Sequence, residues 1–235
     1  MVWLNLSGNV LENLPEEFAS LSALLWLDLS NNQFSVLPDP IIHLKTITEL
    51  NLQGSFFPAP PSSSAGHCGK HFVAFFVGNQ LLSLPEEIGQ LVAMEKFTIS
   101  KNKLTSIPDE IGSLMALKEL DLSSNELVVL PQSLAKLSKL TVLGLGKNRI
   151  SVLPHGLGVL RRIRILDVRD NPLELPPLEI VSQGSQAILK YLRESMKTSS
   201  ASANHTIAVG DGLEGGVVGK ELTFTVVARD DKGGL

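Results

Sequence analysis

The amino-acid sequence repeats at intervals of 23 residues, and this periodicity limits the folds that the chain can adopt. One complete unit runs from Leu117 to Lys139 and reads LKELDLSSNELVVLPQSLAKLSK. Its pattern is LxxLxLxxNxLxxLPxxLxxL, with Asn125 and Pro131 at the asparagine and proline positions. A fixed period of this length is typical of solenoid proteins, in which each repeat packs against its neighbours and cannot fold alone.

Within one unit, the spacing of the leucines changes from two residues to three. Leu120 and Leu122 alternate with polar residues, which predicts a short strand with one buried face. Pro131 cannot donate a hydrogen bond to a strand ladder, so the extended region ends there. Leu134 and Leu137 suit a short helical turn on the opposite side. Stacked units therefore place a sheet on the inside of the solenoid and helical turns on the outside.

This pattern resembles the leucine-rich repeat family in its short intracellular form. The resemblance implies an α/β solenoid, a horseshoe of about seven repeats with a parallel concave sheet, as a domain over residues 1–195. In that family the asparagine at the position of Asn125 bonds the backbone of the turns.

The last part of this domain, PPLEIVSQGSQAILKYLRES, resembles the C-terminal cap of intracellular leucine-rich repeat proteins related to Scribble-type and Ras-binding scaffolds. It predicts a short helical turn, a break at Gly184 and a helix near Ser185–Ser195. Ile188, Leu189 and Leu192 share one face of that helix and can cover the core of the last repeat.

The third repeat is interrupted by 24 residues, Gly54–Val77, that do not follow the pattern. Removing them restores a complete unit, so they form an inserted loop within that repeat. Our hypothesis is a retained intron or a gene-model error, because the coding length is a multiple of three and the phenylalanine codons before Val77 are rich in pyrimidines, as at a 3′ splice site. The alternative is an additional degenerate repeat, with Ala74 and Phe76 in place of the strand leucines.

Beyond the repeats, residues 196–204 are polar and predict a linker. Residues 205–235 resemble the opening of a filamin-type immunoglobulin-like repeat, through Gly219, Phe224-Thr-Val226, Arg229-Asp230 and Gly233. Such a sandwich needs about 100 residues. We therefore expect an incomplete filamin-like repeat, a partial β-sandwich segment that forms at most a loose hairpin.

Composition excludes several classes of protein. The net charge of −4 gives no general nucleic-acid footprint. A single cysteine cannot build a disulfide framework within the chain. No apolar stretch approaches the ~20 residues of a membrane span, and no signal peptide is visible at Met1. We therefore expect a cytoplasmic protein.

Motifs that could support chemistry are weak. Gly215–Lys220 resembles a phosphate loop, but Glu214 and Glu221 stand where that motif needs glycine and serine or threonine. His67, Cys68 and His71 could ligate a metal, but they have no fourth ligand and no scaffold around them. We therefore predict no catalytic residue, no cofactor and no metal.

A binding surface is the better candidate. Strand residues that alternate with the buried leucines face the concave side, and both tryptophans of the chain stand there, 23 residues apart. Strands of adjacent units lie about 4.8 Å apart, so the two indoles should stack. Charge alternates in bands along the same face, which can fix the register of a partner. The predicted partner-binding residues are Trp3, Trp26, Asp28, Glu49, Lys96, Lys101, Glu119, Asp121 and Lys147.

These features predict a non-enzymatic scaffold that binds a protein on the concave face. The two family resemblances imply partners in intracellular signalling, such as a small GTPase, or in cytoskeletal organisation. The alternative is a regulatory fragment of a larger signalling enzyme whose catalytic domain lies outside these residues.

Overall fold

The sheet of the solenoid contains seven short parallel strands. The computed structural model describes residues 2–54, 79–204, 206–209 and 225–228. The strands are β1 (Trp3–Asn5), β2 (Trp26–Asp28), β3 (Glu49–Asn51), β4 (Lys96–Thr98), β5 (Glu119–Asp121), β6 (Val142–Gly144) and β7 (Ile165–Asp167). Their order in the sheet is their order in the sequence, and each neighbouring pair is parallel. The predicted solenoid with a parallel sheet of seven strands is confirmed.

Short 3₁₀ helices lie on the opposite side of the solenoid. Each begins directly after a proline, whose fixed φ suits the entry into a helical turn and whose missing N–H is not needed there. They span Glu16–Ser20, Asp39–His43, Glu86–Gln90, Asp109–Ser113, Gln132–Lys136 and His155–Val159. A leucine closes each helix; the amide of Leu137, for example, donates to the carbonyl of Leu134 at 3.1 Å. With five residues per helix, each uninterrupted repeat returns to the sheet after 23 residues.

The core lies between the sheet and the 3₁₀ helices. Leu120 on β5, Leu122 directly after it, and Leu134 and Leu137 on the outer side are completely buried. Register joins the central strand residues of successive repeats, so that Leu120 lies between Phe97 and Leu143. The apolar side chains thus form one continuous column along the solenoid, and burial of that column is the main source of its stability.

Buried asparagines satisfy the backbone where each strand turns toward the outer side. The Nδ2 of Asn125 donates to the carbonyls of Leu122 and, in the preceding repeat, Ile99, at 3.0 and 3.2 Å. Its Oδ1 accepts from the amide of Leu104 at 3.0 Å. Asn32, Asn79, Asn102 and Asn148 are buried at the same position of other repeats. A buried carbonyl or amide without a hydrogen-bond partner is costly. By bonding such groups in its own repeat and in the preceding one, this asparagine links adjacent repeats.

The third repeat closes correctly across the irregular segment. β3 pairs directly with β4, with Glu49 opposite Lys96. Asn79 supplies the buried asparagine, and its Nδ2 donates to the carbonyls of Leu29 and Leu52 at 3.0 and 3.2 Å. Of the segment 54–77 the structure describes only Gly54. The intron hypothesis and the extra-repeat alternative both concern residues 55–77, which lie outside the described residues.

Two α-helices follow the last repeat, α1 (Leu178–Val181) and α2 (Ser185–Asn204). Gly184 separates them with φ of +92°, a conformation that suits glycine. Ile188, Leu189 and Leu192 of α2 are buried against the final repeat. The prediction that the helix ends near Ser195 is wrong, because α2 continues through residues 196–204, the predicted linker. No glycine or proline lies between residues 185 and 204 to stop it.

Two further strands, β8 (Thr206–Val209) and β9 (Thr225–Ala228), pair antiparallel. Most of the residues that carry the filamin-like resemblance lie outside the described residues. Within the described ranges, the structure contains no helix that is both long and apolar enough to cross a lipid bilayer.

Candidate protein-binding face

The exposed face of the sheet displays two columns of side chains, one on each side of the central, inward-facing residue of every strand. Strand register aligns each column across all seven repeats. The first column is Trp3, Trp26, Glu49, Lys96, Glu119, Val142 and Ile165. The second column is Asn5, Asp28, Asn51, Thr98, Asp121, Gly144 and Asp167. Seven of the nine predicted partner-binding residues therefore lie together on this face.

The two tryptophans form an aromatic pair at one end of the first column. Their ring centroids are 4.6 Å apart and the ring planes differ by 12°, so the predicted stacking is confirmed. The side chain of Trp3 is 59% exposed, whereas Trp26 is half-buried. Aromatic residues that remain accessible on a rigid surface supply large contact area with little loss of conformational entropy on binding.

Two charged residues of the first column, Lys96 and Glu119, are paired across neighbouring strands. Lys96 Nζ lies 3.1 Å from Glu119 Oε2, and both side chains are about half exposed. Two further ion pairs join successive repeats beside the sheet, Lys118 with Glu95 and Arg149 with Glu126. The sequence pattern separates these charges into acidic and basic bands, but the fold brings the bands into contact. Exposed pairs of this kind contribute little to stability, so a partner can compete for either member.

The acidic residues of the second column also hold the turn that follows each strand. Oδ1 of Asp28 accepts from the amide of Ser30 at 2.8 Å, and Oδ1 of Asp121 accepts from the amide of Ser123 at 3.0 Å. Asn51 makes the same bond to the amide of Gln53 at 3.1 Å. An asparagine or aspartate at this position therefore stabilises the strand exit by a local side-chain bond. For Asp28 and Asp121 this structural role accompanies any role in binding.

Lys101 and Lys147 lie in the turns after β4 and β6 rather than on the strands. Their φ angles are +58° and +56°, in the left-handed region that is uncommon for lysine. Lys101 is half-buried and Lys147 is exposed. These two predicted residues thus flank the concave face at its strand-exit edge.

A depression of about 450 Å³ opens between β5 and β7. Gly144 forms its floor, because it is the residue in the second column without a side chain. Asp121 and Asp167 border the gap in that column, and Val142 and Ile165 border it in the first column. The sequence analysis missed this depression, although a glycine in a column of asparagine, aspartate and threonine is a visible signal.

Asp167 at the rim is held by Arg169. The Nε of Arg169 donates to Oδ1 at 2.9 Å and its Nη2 donates to Oδ2 at 2.7 Å. The side-chain hydrogen bonds from this guanidinium lower the pKa of Asp167 against the opposing effect of partial burial. The same contact raises the pKa of Arg169. Asp167 is therefore ionised and already paired at neutral pH.

The weak chemical motifs fall elsewhere. His67, Cys68 and His71, as well as Gly215–Lys220, lie outside the described residues. Within the described part of the chain, no group of three or more histidine, cysteine, aspartate or glutamate side chains could hold a metal ion.

The sequence matches the leucine rich repeat family over residues 1–55 and 115–173. Together with the seven-stranded parallel sheet, this match decides the architecture. The described repeats have the architecture of a leucine-rich repeat solenoid. Such domains are typically non-catalytic interaction modules.

Solved structures support this assignment. A leucine-rich repeat protein of Leptospira interrogans is 32% identical, with a TM-score of 0.56 over 78% of this chain and 46% of its own. A plant peptide hormone receptor, RGFR1 in complex with RGF2, is 27% identical, with a TM-score of 0.56 over 72% of this chain and 24% of its own. An internalin, InlF from Listeria monocytogenes, shares the fold at 20% identity, with a TM-score of 0.59 over 79% of this chain and 46% of its own.

The chain spans less than half the length of each of these three proteins. No curated protein matches it at a significant level.

Proposed function

We propose that this protein is a non-enzymatic scaffold that binds a polypeptide partner on the concave face of its sheet. The stacked pair of Trp3 and Trp26 is the observation that carries the proposal. An indole that remains 59% exposed on a rigid sheet, beside a second indole in van der Waals contact, has little structural purpose in that position. Covering it with a partner would remove a large apolar area from water.

The surface beside the tryptophans suits a partner with mixed polarity. Asp28 and Glu49 follow the indoles along the sheet, and Lys96 with Glu119 adds one charge of each sign. Complementary charges on a partner would fix its register along the columns, while the indoles would supply most of the affinity. The receptor RGFR1, which has the same fold, has been solved in complex with RGF2; by analogy we infer a polypeptide ligand here.

We further propose an intracellular role in signalling or cytoskeletal organisation. This rests on the single cysteine of the chain and on the resemblance of residues 177–195 to the cap of Scribble-type and Ras-binding scaffolds. The filamin-like residues 205–235 would connect the repeat domain to other modules. Under this proposal the partner is a small GTPase or a cytoskeletal protein.

The test compares proteins recovered by the wild-type chain with those recovered by a concave-face double variant, Trp3→Ala/Trp26→Ala. We expect the double variant to lose a specific partner that the wild type retains. Val129→Ala is the control, because Val129 is 70% exposed but lies outside the sheet. The recovered partner is then purified and titrated directly into the wild-type chain. The chain contains no other tryptophan. The tryptophan fluorescence of Trp3 and Trp26 should therefore change saturably on binding.

Equal recovery of every partner by the wild type and the double variant would refute the proposal. Loss of the partner in Val129→Ala but not in the double variant would show that the binding site lies outside the sheet. Circular dichroism of each variant checks that the solenoid remains folded, so that a loss of binding can be attributed to the surface.

A further inference from the structure

The depression above Gly144 has the size and the lining of a subsite for one side chain of a partner. At this position of the second column the other strands carry asparagine, aspartate or threonine. A Cβ atom built on Gly144 would lie 2.7 Å from Oδ1 of Asp121, so the carboxylate of Asp121 occupies part of the space that a side chain would use. The carboxylate of Asp121 therefore forms one wall of the depression above Gly144.

Asp121 differs from the other acidic residues of this depression in having no ion-pair partner among the described residues. Glu119 is paired with Lys96, and Asp167 is paired with Arg169. Among the residues that the structure describes, no cation forms an ion pair with Asp121. Its Oδ1 accepts from the turn amide of Ser123, which leaves Oδ2 available to a donor. The subsite thus carries a net negative charge at the edge of the glycine gap.

An apolar shelf lines the first-column side of the same depression. Ile165 is 55% exposed and Val142 is half-buried, and both border the depression in the first column. Adjacent strands are about 4.8 Å apart, so the shelf spans roughly the length of an extended aliphatic chain. A ligand that fits the whole site needs a cationic end for Asp121 and a hydrocarbon stem for Val142 and Ile165.

We propose that this depression binds an arginine side chain of the partner polypeptide, an inference that rests on the proposed function of the concave face. The guanidinium would donate to Oδ2 of Asp121, and its methylene groups would lie along Ile165. Arginine fits better than lysine, because its planar guanidinium is more weakly hydrated and makes directional bonds to a carboxylate. The floor at Gly144 has no side chain, which leaves room for the flat group to enter edge-on.

A direct binding measurement tests the subsite without knowledge of the natural partner. The probe is the peptide N-acetyl-Gly-Leu-Arg-Leu-Gly-amide, titrated into the full ¹⁵N-labelled chain and followed by NMR. The expected result is saturable movement of the backbone amide signals of Gly144, Ser123 and Ile165. The matched control peptide replaces arginine by citrulline, which has the same shape but no charge. It should bind about tenfold more weakly, the usual difference between a charged and a neutral hydrogen bond.

Two substitutions identify the groups responsible. Asp121→Asn removes the charge and keeps the turn bond, since Asn51 makes that bond at the same position of another repeat. It should weaken the arginine peptide about tenfold. Asp109→Asn removes one exposed charge from a 3₁₀ helix on the opposite side of the solenoid and should leave binding unchanged. Gly144→Thr fills the gap with the residue that Thr98 presents on β4 and should abolish the amide shifts.

Equal binding of the arginine and citrulline peptides would overturn the proposal. So would an equal loss of affinity in Asp109→Asn and Asp121→Asn, or signal changes confined to residues near Trp3 and Trp26. Any of these results would leave the scaffold proposal standing if Trp3→Ala/Trp26→Ala still loses its partner. Conversely, peptide binding at Gly144 with no effect of the tryptophan variant on partner recovery would retain the subsite and refute the tryptophan pair as the anchor.

Discussion

The two ends of the solenoid bury equivalent side chains to different extents. In the repeat of β1, Leu4 and Leu6 are only partly buried. In the repeat of β7, the equivalent Leu166 and Val168 retain 5% and 4% of their accessible surface. The chemistry of the side chains is nearly the same, so the difference comes from what packs beside them. At the β7 end that neighbour is α2.

The asparagine position shows the same asymmetry. Asn171 donates to the carbonyl of Leu145 in the preceding repeat at 2.9 Å, and its Oδ1 accepts from the amide of Ile150 at 3.0 Å. Asn9 donates only within its own repeat, to the carbonyls of Leu6 and Ser7. Because the asparagine reaches back toward the preceding repeat, the last repeat is fully linked and the first described repeat is not. The two ends should therefore differ in stability.

The largest expected effect is at the buried end. Leu166→Ala should lower the free energy of unfolding by about 2–5 kcal/mol, because it removes a side chain from a packed position under α2. Leu4→Ala changes the same strand position at the other end and should cost less than half as much. Urea denaturation followed by circular dichroism measures both. Equal losses would show that the β1 repeat is as tightly integrated as the β7 repeat, which would contradict the comparison.

An intermediate effect is expected where α2 touches the last 3₁₀ helix. A Cβ on Gly158 would lie 2.6 Å from the backbone nitrogen of Arg193 and 2.9 Å from its Cα. Gly158→Ala should therefore push α2 outward and destabilise the chain by about 1–3 kcal/mol.

Gly146→Ala is the matched control for this contact. Its added methyl group would approach no atom closer than 3.3 Å and would not meet α2. Both changes give the same reduction in unfolded-chain entropy, so their difference isolates the helix contact. If Gly158→Ala were as stable as Gly146→Ala, α2 would not be held against the last repeat. Hydrogen exchange of the amides of α2 checks this independently.

The backbone arrangement of the repeats is predictable from the sequence because it depends on short-range spacing. The interval between Leu120 and Leu143 sets the register of their strands, and the alternation within each strand sets the exposed face. The proline before each outer turn predicts the start of the 3₁₀ helix. These features need no knowledge of distant residues, since each repeat contacts only the repeats beside it.

The binding face was less predictable, because it depends on which side chains form contacts across neighbouring strands. The sequence places Lys96 and Glu119 in bands of opposite charge, and only the structure shows them as one ion pair. Spacing likewise says nothing of the space left by Gly144, which depends on the rotamer of Asp121. The extension of α2 to Asn204 was missed for a different reason: a polar composition predicts a linker, although alanine, serine and lysine are all compatible with a helix.

The smallest expected effect comes from a charged contact that is present at the β7 end and has no equivalent at the β1 end. The second column ends in neutral Asn5 at β1 and in Asp167, bonded to Arg169, at β7. Since the folded-state pKa of Asp167 is lowered, the contact adds stability above its unfolded pKa of about 3.9. That contribution is lost as the pH falls through the lower folded-state value.

Arg169→Ala should therefore reduce the Tm slightly at pH 7, and the reduction should disappear toward pH 2. Arg164→Ala is the control, because no ion pair joins Arg164 to any residue in the described ranges. Its effect on Tm should not change between pH 7 and pH 2. A reduction in Arg169→Ala that persists at pH 2 would mean that the arginine stabilises the β7 end by packing of its stem rather than by its charge. In that case the difference between the two ends would be wholly a matter of apolar burial.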